Sequence, residues 1–306
     1  MSIDLSVVVP LYNEEESVGP LIESVRDALG DDFAWELLLV DDGSTDATVE
    51  HASVAAAHDA RVRIVCLARN YGQTQAMQAG FDLARGPVVV TMDGDLQNDP
   101  RDIPKLVEML SRGYDLVTGC RMQRQDALIT RKLPSWIANR LIARLTGVEV
   151  RDNGCSLKAY RRTLLDSLVL YSDMHRFLPA VAVATADARI AEVPVRHHAR
   201  RFGASKYGLA RVLSVALDLV TLKMIMSFRD RPLVLFGLAA LAVASLGTMT
   251  IAYSVVRHLT SGSDAVYAFV YPSVGLVALT LACTLLMLGL VGERALRASV
   301  PPEADE

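Results

Sequence analysis

Two long stretches of the chain lack every charged residue, Leu233 to Val256 and Ala265 to Gly292. Because roughly 20 apolar residues cross the hydrocarbon core of a membrane, both stretches are predicted to be transmembrane helices. A buried hairpin in a soluble protein is the alternative, but two such lengths in tandem exceed ordinary core helices. Since the spans contain no Asp, Glu, Lys, Arg or His, they are typical of an anchor and not of an ion pathway.

Other features are scarce as well. The four cysteines are far apart and form no C-x-x-C pair, which argues against a zinc ribbon or a disulfide framework. Positive charge is not in excess, because the net charge is -4, and this argues against a general nucleic-acid binder. The first residues have no basic segment followed by a long apolar run, so we expect no signal peptide and a cytosolic first domain.

Basic residues are denser beside the two apolar stretches than between them. The flanking residues are Lys223, Arg229, Arg231, Arg294 and Arg297, and the residue in the connecting loop is Arg257. By the positive-inside rule, both flanks are predicted to lie in the cytosol. The sequence therefore predicts a multi-pass protein of the inner (cytoplasmic) membrane, with its first domain and both termini on the cytosolic side.

The first 120 residues alternate short β-branched runs with helical patterns. The runs are 5–12, 36–42, 62–68, 87–93 and 114–120, with a last one at 188–198. Continuous apolar strands separated by helices predict an α/β fold with a mostly parallel, Rossmann-like sheet covered on both faces. We expect this domain over 1–208, an amphipathic helix over 209–231, two spans within 232–294 (about 233–256 and 265–292), and a disordered tail over 295–306.

The helix predicted over 209–231 carries a narrow polar stripe on an otherwise apolar surface. This pattern suits a helix at the membrane interface. Packing against the first domain is an equal alternative. Small residues in the first span (Gly237, Ala240 and Ala244) are compatible with a homo-oligomer.

Polar side chains follow four of the predicted strands at the point where each strand ends. They are Asn13 and Glu14, then Asp41 to Asp46, then Arg69 and Asn70, and finally Asp93 to Asp99. The carboxyl ends of parallel strands meet at one edge of a sheet, where ligands bind. These groups are therefore predicted to line one crevice.

The stretch Asp93-Gly94-Asp95 places two carboxylates directly after a valine-rich strand. A solvated turn is the ordinary explanation for such residues. With Gln97 two residues further on, however, the stretch offers oxygen ligands of the kind that Mg²⁺ takes together with substrate phosphates. Asp99 before Pro100 is expected to cap the next helix.

The segments VVVPLYNEEES, LLLVDDGSTDAT, LARNYGQTQAMQAGFDLARG and VTMDGDLQNDP, taken together, resemble the family 2 glycosyltransferases of GT-A fold. The likeness is greatest to the group that transfers sugars to polyprenyl phosphates, such as dolichyl or undecaprenyl phosphate. It covers about residues 4–120 and resumes in DNGCSLKAYRR, MHRFLPA and EVPVRHHARRFGASKYG. It implies inverting transfer from a UDP- or GDP-sugar to a polyprenyl phosphate, with Mg²⁺ or Mn²⁺ as cofactor.

The resemblance also implies roles for individual residues on the donor side. The donor nucleotide would contact Pro10, Tyr12, Asn13, Glu14, Asp41, Ser44, Arg69, Gln73 and Asp93. Asp95 and Gln97, supported by Asp93, would hold the metal, which makes Asp93 and Asp95 the main catalytic candidates. For Asp41 and Asp46, capping of the next helix is the alternative.

Acceptor binding is inferred from basic residues, because no acidic residue occurs from Val193 to Leu217. The basic residues of this stretch are Arg196, Arg200, Arg201, Lys206 and Arg211. Such a cluster binds either anionic headgroups or the phosphate of a lipid substrate. The resemblance favours the second and implies phosphate contacts by Arg121, Arg131, His175, Arg176, Arg201, Ser205 and Lys206. For His175, a structural role is an equal alternative.

A phosphate monoester has a second pKa of about 6, so the acceptor is a competent nucleophile at neutral pH. We expect direct attack on the sugar C1, with Asp152 as the candidate if a general base is used. Two other functions stay open: a membrane-anchored nucleotide-binding scaffold without turnover, and a processive polysaccharide synthase. The chain has no Q-x-x-R-W motif of such synthases, and two spans are too few for a polymer channel.

Overall fold

The computed structural model describes residues 3–121, 150–168, 177–199, 231–261 and 266–299. The chain divides into two compact units, Met1–Leu222 and Lys223–Glu306. The first unit contains a sheet with its covering helices, and the second contains two long helices. The domain boundary near residue 208 stays a prediction.

Within the described residues of the first unit, seven strands form one sheet. They are β1 (Leu5–Leu11), β2 (Trp35–Asp41), β3 (Val62–Cys66), β4 (Val88–Thr91), β5 (Leu116–Arg121), β6 (Lys158–Arg161) and β7 (Ile190–Val195). Their order across the sheet is β3-β2-β1-β4-β6-β5-β7. Only β6 runs antiparallel to its neighbours among these strands, so the predicted mostly parallel α/β sheet is confirmed.

Helices cover both faces of this sheet. They are α1 (Val18–Leu29), α2 (Thr48–His58), α3 (Gln73–Leu83), α4 (Ile103–Ser111), α5 (Arg162–Asp166) and α6 (Leu178–Ala186), with a 3-10 helix at Pro100–Asp102. Val7 and Val9 of β1 share a core cluster with α1 and α4, whereas Val8 lies against Gly80 of α3. Successive strand residues point to opposite faces, so a strand covered on both sides is apolar throughout.

The amino ends of β1 and β2 contain a buried acid, Glu36. Its carboxylate accepts hydrogen bonds from Ser6 Oγ, Arg85 N and Arg63 Nη1, each at 2.7 Å. Ser6 Oγ in turn accepts a bond from Gly86 N at 2.8 Å. A buried charge is tolerated when it is paired and hydrogen-bonded, and here the bonds fix the connection from α3 to β4.

The second unit is an antiparallel hairpin of α7 (Pro232–Ser261) and α8 (Tyr271–Ser299), joined through a π-helical turn at Val266–Val270. Gly247 lies against Gly275, because small residues let helix backbones approach closely. The segments Pro232–Thr260 and Ala268–Ala295 have mean hydropathies of 2.1 and 2.5, and only 11% and 17% of their most apolar windows are buried. They are long and apolar enough to cross a membrane, and their exposure disfavours core helices of a soluble protein.

Local structure departs from the sequence-based expectation at β6 and at the end of α8. The short strand β6 was not predicted, since four residues that include lysine and arginine show no clear strand pattern. Helix α8 continues to Ser299, so residues 295–299, predicted as the start of a disordered tail, are helical. The amphipathic helix predicted over 209–231 lies outside the described residues, apart from its last position.

Candidate active site

The carboxyl ends of β1, β2 and β4 lie side by side at one edge of the sheet. Leu11 pairs with Asp41, and Val8 pairs with Thr91. The loops that follow these strands therefore begin next to one another, as the sequence predicted.

The loop after β1 is hydrogen-bonded to the start of α2. Asn13 N donates to Ser44 Oγ and Asn13 Oδ1 accepts from Thr45 N, both at 2.9 Å, while Glu14 N donates to Thr48 Oγ1 at 2.8 Å. Asn13 has a φ of 54°, a left-handed conformation that Asn tolerates better than most residues. The predicted donor residues Asn13, Glu14 and Ser44 are thus brought together, and their bonds hold the two loops in shape.

Asp41 and Asp46 both bind backbone amides in the loop that leads into α2. The Asp41 carboxylate accepts from Gly43 N and Ser44 N at 3.1 Å, and Asp46 Oδ1 accepts from Thr48 N at 3.0 Å. Helix α2 begins after Ala47 with no side-chain cap bond, so Asp41 shapes the loop before the helix and Asp46 binds the amide of its first residue. Contact of Asp41 with a nucleobase stays a prediction.

The neighbouring carboxylate of Asp42 anchors the loop that carries Arg69. It accepts from Tyr71 N at 2.7 Å and from Gly72 N at 2.9 Å. Gly43 has a φ of 71°, and a Cβ at this position would lie 2.6 Å from the Arg69 carbonyl carbon. The guanidinium of Arg69 in turn lies 4.9 Å from the centre of the Tyr71 ring. Asp42 and Gly43 therefore seat Arg69 beside the end of β2.

Helix α3 brings Gln73 to the end of β4. Gln73 is its first residue, and Gln73 Nε2 donates to Asp93 Oδ1 at 2.8 Å. The amino end of a helix carries partial positive charge that favours anions. A cavity of about 20 Å³, room for about one water, is lined by both residues and by Pro10, Thr91 and Lys158. Two residues predicted for the donor side, 20 positions apart, thus meet.

The Asp93-Gly94-Asp95 loop is tightly packed and has unusual backbone geometry. A Cβ at Gly94 would collide with the Leu11 side chain, and Leu96 has a φ of 61°. Asp95 is only 6% exposed, and its Oδ1 accepts from Gln97 N at 3.1 Å. Left-handed non-glycine residues cost energy and concentrate at functional sites.

The donor set of this loop fits a hard divalent cation. In the part of the chain that the structure describes, no three His, Cys, Asp or Glu side chains form a metal-binding group. A site here would therefore combine Asp93, Asp95 and the Gln97 amide oxygen with water and substrate oxygens. The Gln97 amide nitrogen donates to the His198 carbonyl at 3.3 Å, which directs the amide oxygen away from that contact. Mg²⁺ is usually bound in this way, by a few protein oxygens together with water and substrate phosphates.

Arg121 and Asp152, predicted for phosphate binding and proton transfer, form one buried ion pair. Arg121 Nε and Nη2 donate to the two carboxylate oxygens at 2.6 and 2.8 Å. The side chains are 12% and 8% exposed. Burial alone would lower the pKa of Arg121, but the Asp152 carboxylate outweighs it and raises that pKa. Asp152 is therefore the main charged partner of Arg121.

Lys158 is a buried residue beside the site that sequence reasoning missed. Its Nζ donates to the backbone carbonyls of Asn153 and Cys155, and burial lowers its pKa. Next to it, Thr91 Oγ1 donates to the Ser156 carbonyl at 2.8 Å. These bonds hold the loop after Asp152 against the end of β4. No local signal marks a lysine in a short strand as buried.

Several predicted residues are not placed by these observations. Those outside the described residues are Arg131, His175, Arg176, Arg201, Ser205 and Lys206. Tyr12 follows the end of β1 and is about one-third exposed. A larger open groove of about 540 Å³ lies between α1 and α2, but none of the predicted site residues lines it.

Comparisons with known proteins identify the family of the chain. The family described as Glycosyl transferase family 2 matches residues 6–169. A dodecaprenyl-phosphate galacturonate synthase of Rhizobium johnstonii is 49% identical over 267 residues, which are 86% of this chain and 79% of the relative. An undecaprenyl-phosphate 4-deoxy-4-formamido-L-arabinose transferase of Pseudomonas fluorescens is 39% identical over 85% of this chain and 75% of its own.

Solved structures agree on the fold. The glucosyl-3-phosphoglycerate synthase of Mycobacterium tuberculosis, in complex with Mn²⁺, uridine diphosphate and phosphoglyceric acid, superposes with a TM-score of 0.57. It is 23% identical and covers 73% of this chain and 78% of its own. The solved structure thus shows a shared fold. The family match and the 49% identical relative show to which family the chain belongs. The chain belongs to glycosyl transferase family 2 and is, like its named relatives, a glycosyltransferase.

Proposed function

We propose that the chain transfers a sugar, with inversion at C1, from a nucleoside-diphosphate sugar to a polyprenyl phosphate and so forms a polyprenyl-phosphate sugar. The observation that carries this proposal is the 49% identity to a dodecaprenyl-phosphate galacturonate synthase over 86% of the chain. The second relative is also named for a polyprenyl-phosphate acceptor. Two apolar helices would keep such an enzyme at the membrane that holds its acceptor.

On the donor side, Asp41 would contact the base, and Arg69 and Gln73 would contact the diphosphate region. The start of α3 supports an anion here through its partial positive charge. Asp95 and Gln97 would hold Mg²⁺ or Mn²⁺, as the structural neighbour was crystallised with Mn²⁺ and uridine diphosphate. When bound, the metal offsets the charge that develops on the leaving diphosphate.

On the acceptor side, the phosphate is its own nucleophile because it is largely dianionic at neutral pH. Asp152 is the sequence-based candidate for a base, yet its carboxylate accepts two charge-assisted bonds from Arg121. Both carboxylate oxygens are therefore engaged by the guanidinium in charge-assisted bonds. In this proposal Asp152 therefore holds Arg121 in place, and the fixed guanidinium stabilises phosphate charge.

The proposed location is the inner membrane, with the α/β unit and both termini on its cytosolic side. This orientation is supported by the basic residues that flank the spans. Labelling of single introduced cysteines in intact cells by an impermeant thiol reagent tests it. A cysteine placed among residues 262–265 should react from outside, and one near the carboxyl terminus should react only after the membrane is opened; the reverse pattern would refute the orientation.

The transfer reaction is tested with purified full-length protein, Mg²⁺ or Mn²⁺, undecaprenyl phosphate and a panel of radiolabelled nucleotide sugars. UDP-galacturonate comes first, because galacturonate occurs in the name of the 49% identical relative. We expect label in the organic phase that disappears with EDTA and with Asp95→Asn. Asp59→Asn is the matched control, since Asp59 is another well-paired aspartate that lies in the connection from α2 to β3.

The same assay separates the alternatives. Nucleotide binding without organic-phase label from any donor would favour the scaffold. A ladder of products longer than one sugar would favour a processive synthase. Transfer that persists in EDTA would refute the metal assignment while leaving the acceptor assignment intact.

A further inference from the structure

Two buried carboxylates, Asp99 and Asp102, directly follow the loop of Asp95 and Gln97. Asp99 is 3% exposed and Asp102 is fully buried. Asp99 Oδ1 accepts from Arg101 N at 3.0 Å, which confirms that Asp99 caps the helical turn after it. Capping needs only one carboxylate oxygen, so it accounts for neither the second buried acid nor the remaining bonds.

Asp102 binds the chain that leaves β7. Arg196 N donates to Asp102 Oδ2 at 2.7 Å, and Arg196 Nη2 donates to Oδ1 at 2.9 Å. Lys105 Nζ also donates to Oδ1, at 2.7 Å. Burial alone would raise the pKa of Asp102, but the bonds from Arg196 and Lys105 outweigh it and lower that pKa. Arg196, counted in sequence with the basic cluster for lipid phosphate, therefore has its charge offset by an acid of the fold.

The same two chain segments also pair through their backbones. His198 N donates to the Gln97 carbonyl at 2.8 Å, and the side-chain Nε2 of Gln97 adds a bond to the His198 carbonyl at 3.3 Å. Asn98 and His197 form an antiparallel bridge between these bonds. His198 Nε2 lies 3.2 Å from Asp99 Oδ2. The loop that carries the predicted metal ligands is thus bonded, residue by residue, to the segment that follows β7.

We infer that Asp102 and Arg196 are positioning residues that lock the loop of Asp95 and Gln97 to the chain after β7, and we call this contact the Asp102 clamp. Neither residue needs to touch a substrate. Their effect is to fix the place of the donor loop relative to the segment that continues into the basic stretch. The consequence for catalysis rests on the proposed function, whereas the clamp itself rests on the bonds described above. Small misalignments of reacting groups lower turnover strongly, so this contact would control kcat.

Hydrogen exchange of the full-length protein in detergent tests the clamp without any substrate. We expect the amides of both 93–99 and 195–198 to exchange about 10-fold faster in Asp102→Asn and in Arg196→Gln than in the wild type. Because Asp102 is fully buried, its variant could unfold; Arg196 is 44% exposed, so its variant keeps the test decisive. Asp59→Asn, which removes another aspartate held by two arginines, should leave both segments unchanged. Faster exchange at 195–198 alone would overturn the clamp.

Kinetics test the consequence for transfer. We expect Arg196→Gln to lower kcat about 10- to 100-fold, with a normal stoichiometry of nucleotide binding and a donor KM within about threefold of the wild type. Arg196→Lys, which keeps the charge but not the two-pronged contact, should recover part of the loss. Loss of nucleotide binding in parallel with kcat, or a kcat equal to that of Asp59→Asn, would refute the positioning role. If the wild type transfers no sugar to lipid, the proposed function fails and the exchange experiment alone decides the clamp.

Discussion

The two ends of the sheet use buried carboxylates in different ways. At the amino ends of the strands, Glu36 binds side chains and an amide within the framework of the sheet and its nearest connection. At the carboxyl ends, the carboxylates of Asp41, Asp42, Asp95 and Asp102 each bind backbone amides of loops. At the amino ends, Glu36 therefore ties strands to each other and to one nearby connection. At the carboxyl ends, the carboxylates fix the conformations of the loops.

This difference explains why many acidic and amide groups accumulate near one edge without all being catalytic. A carboxylate that accepts backbone N–H groups fixes a loop more firmly than an apolar contact does, because the bond is charge-assisted and directional. We therefore expect substitutions at the carboxyl ends to lower activity more than stability. Substitutions at the amino ends should lower stability more than activity. Four experiments test that division, from the largest expected effect to the smallest.

The largest effect is expected for Asp95→Asn. It removes a charged metal ligand without changing volume, so sugar transfer should fall by about 10³-fold or more while the melting temperature stays near that of the wild type. Radiolabel in the organic phase at saturating metal is the measurement. Near-normal transfer would show that Asp95 stabilises its loop and is not needed as a metal ligand.

A smaller effect is expected for Gly43→Ala, which forces a methyl group against the Arg69 backbone. We expect the donor KM to rise about 10-fold, since the loop of Arg69 must move, and stability to fall by about 1–3 kcal/mol. Gly30→Ala is a matched control, because Gly30 also has a positive φ but has open space around its Cβ position. It should lose stability through backbone strain and keep the donor KM. Equal donor KM values in the two variants would contradict this role of Gly43.

Glu36→Gln tests the opposite end of the sheet. Loss of the charge weakens the bonds from Arg63 and Arg85 N, so the free energy of unfolding should fall by about 1–3 kcal/mol. Transfer per correctly folded molecule should remain that of the wild type, because no site loop depends on Glu36. Urea unfolding measures the first quantity, and kcat normalised to nucleotide-binding stoichiometry measures the second. A fall in the normalised kcat without a fall in the free energy of unfolding would contradict the proposed difference between the two ends of the sheet.

The smallest effect concerns Asp59, far from the site edge. Hydrogen bonds from Arg61 are the main reason why the pKa of Asp59 is lowered to about 2. Since the folded pKa lies below the ordinary value of about 3.9, the stabilisation is complete above that value and is lost as the pH falls toward 2. The difference in melting temperature between the wild type and Asp59→Asn should therefore be present at pH 7 and narrow below pH 4. A difference that stays constant with pH would refute this linkage.

Much of the site could be predicted because its signals are local in sequence. Asp93, Asp95 and Gln97 follow a strand within a few residues, and the order of strands and helices places such a loop at the carboxyl edge. The relatives and the family match confirm the resemblance on which the glycosyltransferase assignment rests. The roles of the individual residues, and those of the acceptor side in particular, stay predictions.

Other features could not be predicted, because charged side chains look alike in sequence whether or not they are paired. Arg196 and Asp102 are 94 positions apart, and Arg121 and Asp152 are 31 apart. The resemblance implies a phosphate contact for Arg121, and the sequence counts Arg196 in a basic cluster, but each arginine is held by a carboxylate of the fold. Lys158 was overlooked for the same reason, since only its burial reveals that it holds a loop.

The sequence alone thus determined the parallel α/β sheet, the two apolar helices, and the acidic loop at the end of β4. These follow from periodicity, hydrophobic length and the chemistry of adjacent residues, all of which act over short distances along the chain. Only the tertiary structure decided that β6 enters the sheet antiparallel between β4 and β5, that Gln73 meets Asp93, and that Asp102 holds Arg196. Such contacts join distant segments, and their partners are selected by the packing of the whole domain, because a buried charge must find its partner wherever the fold places one.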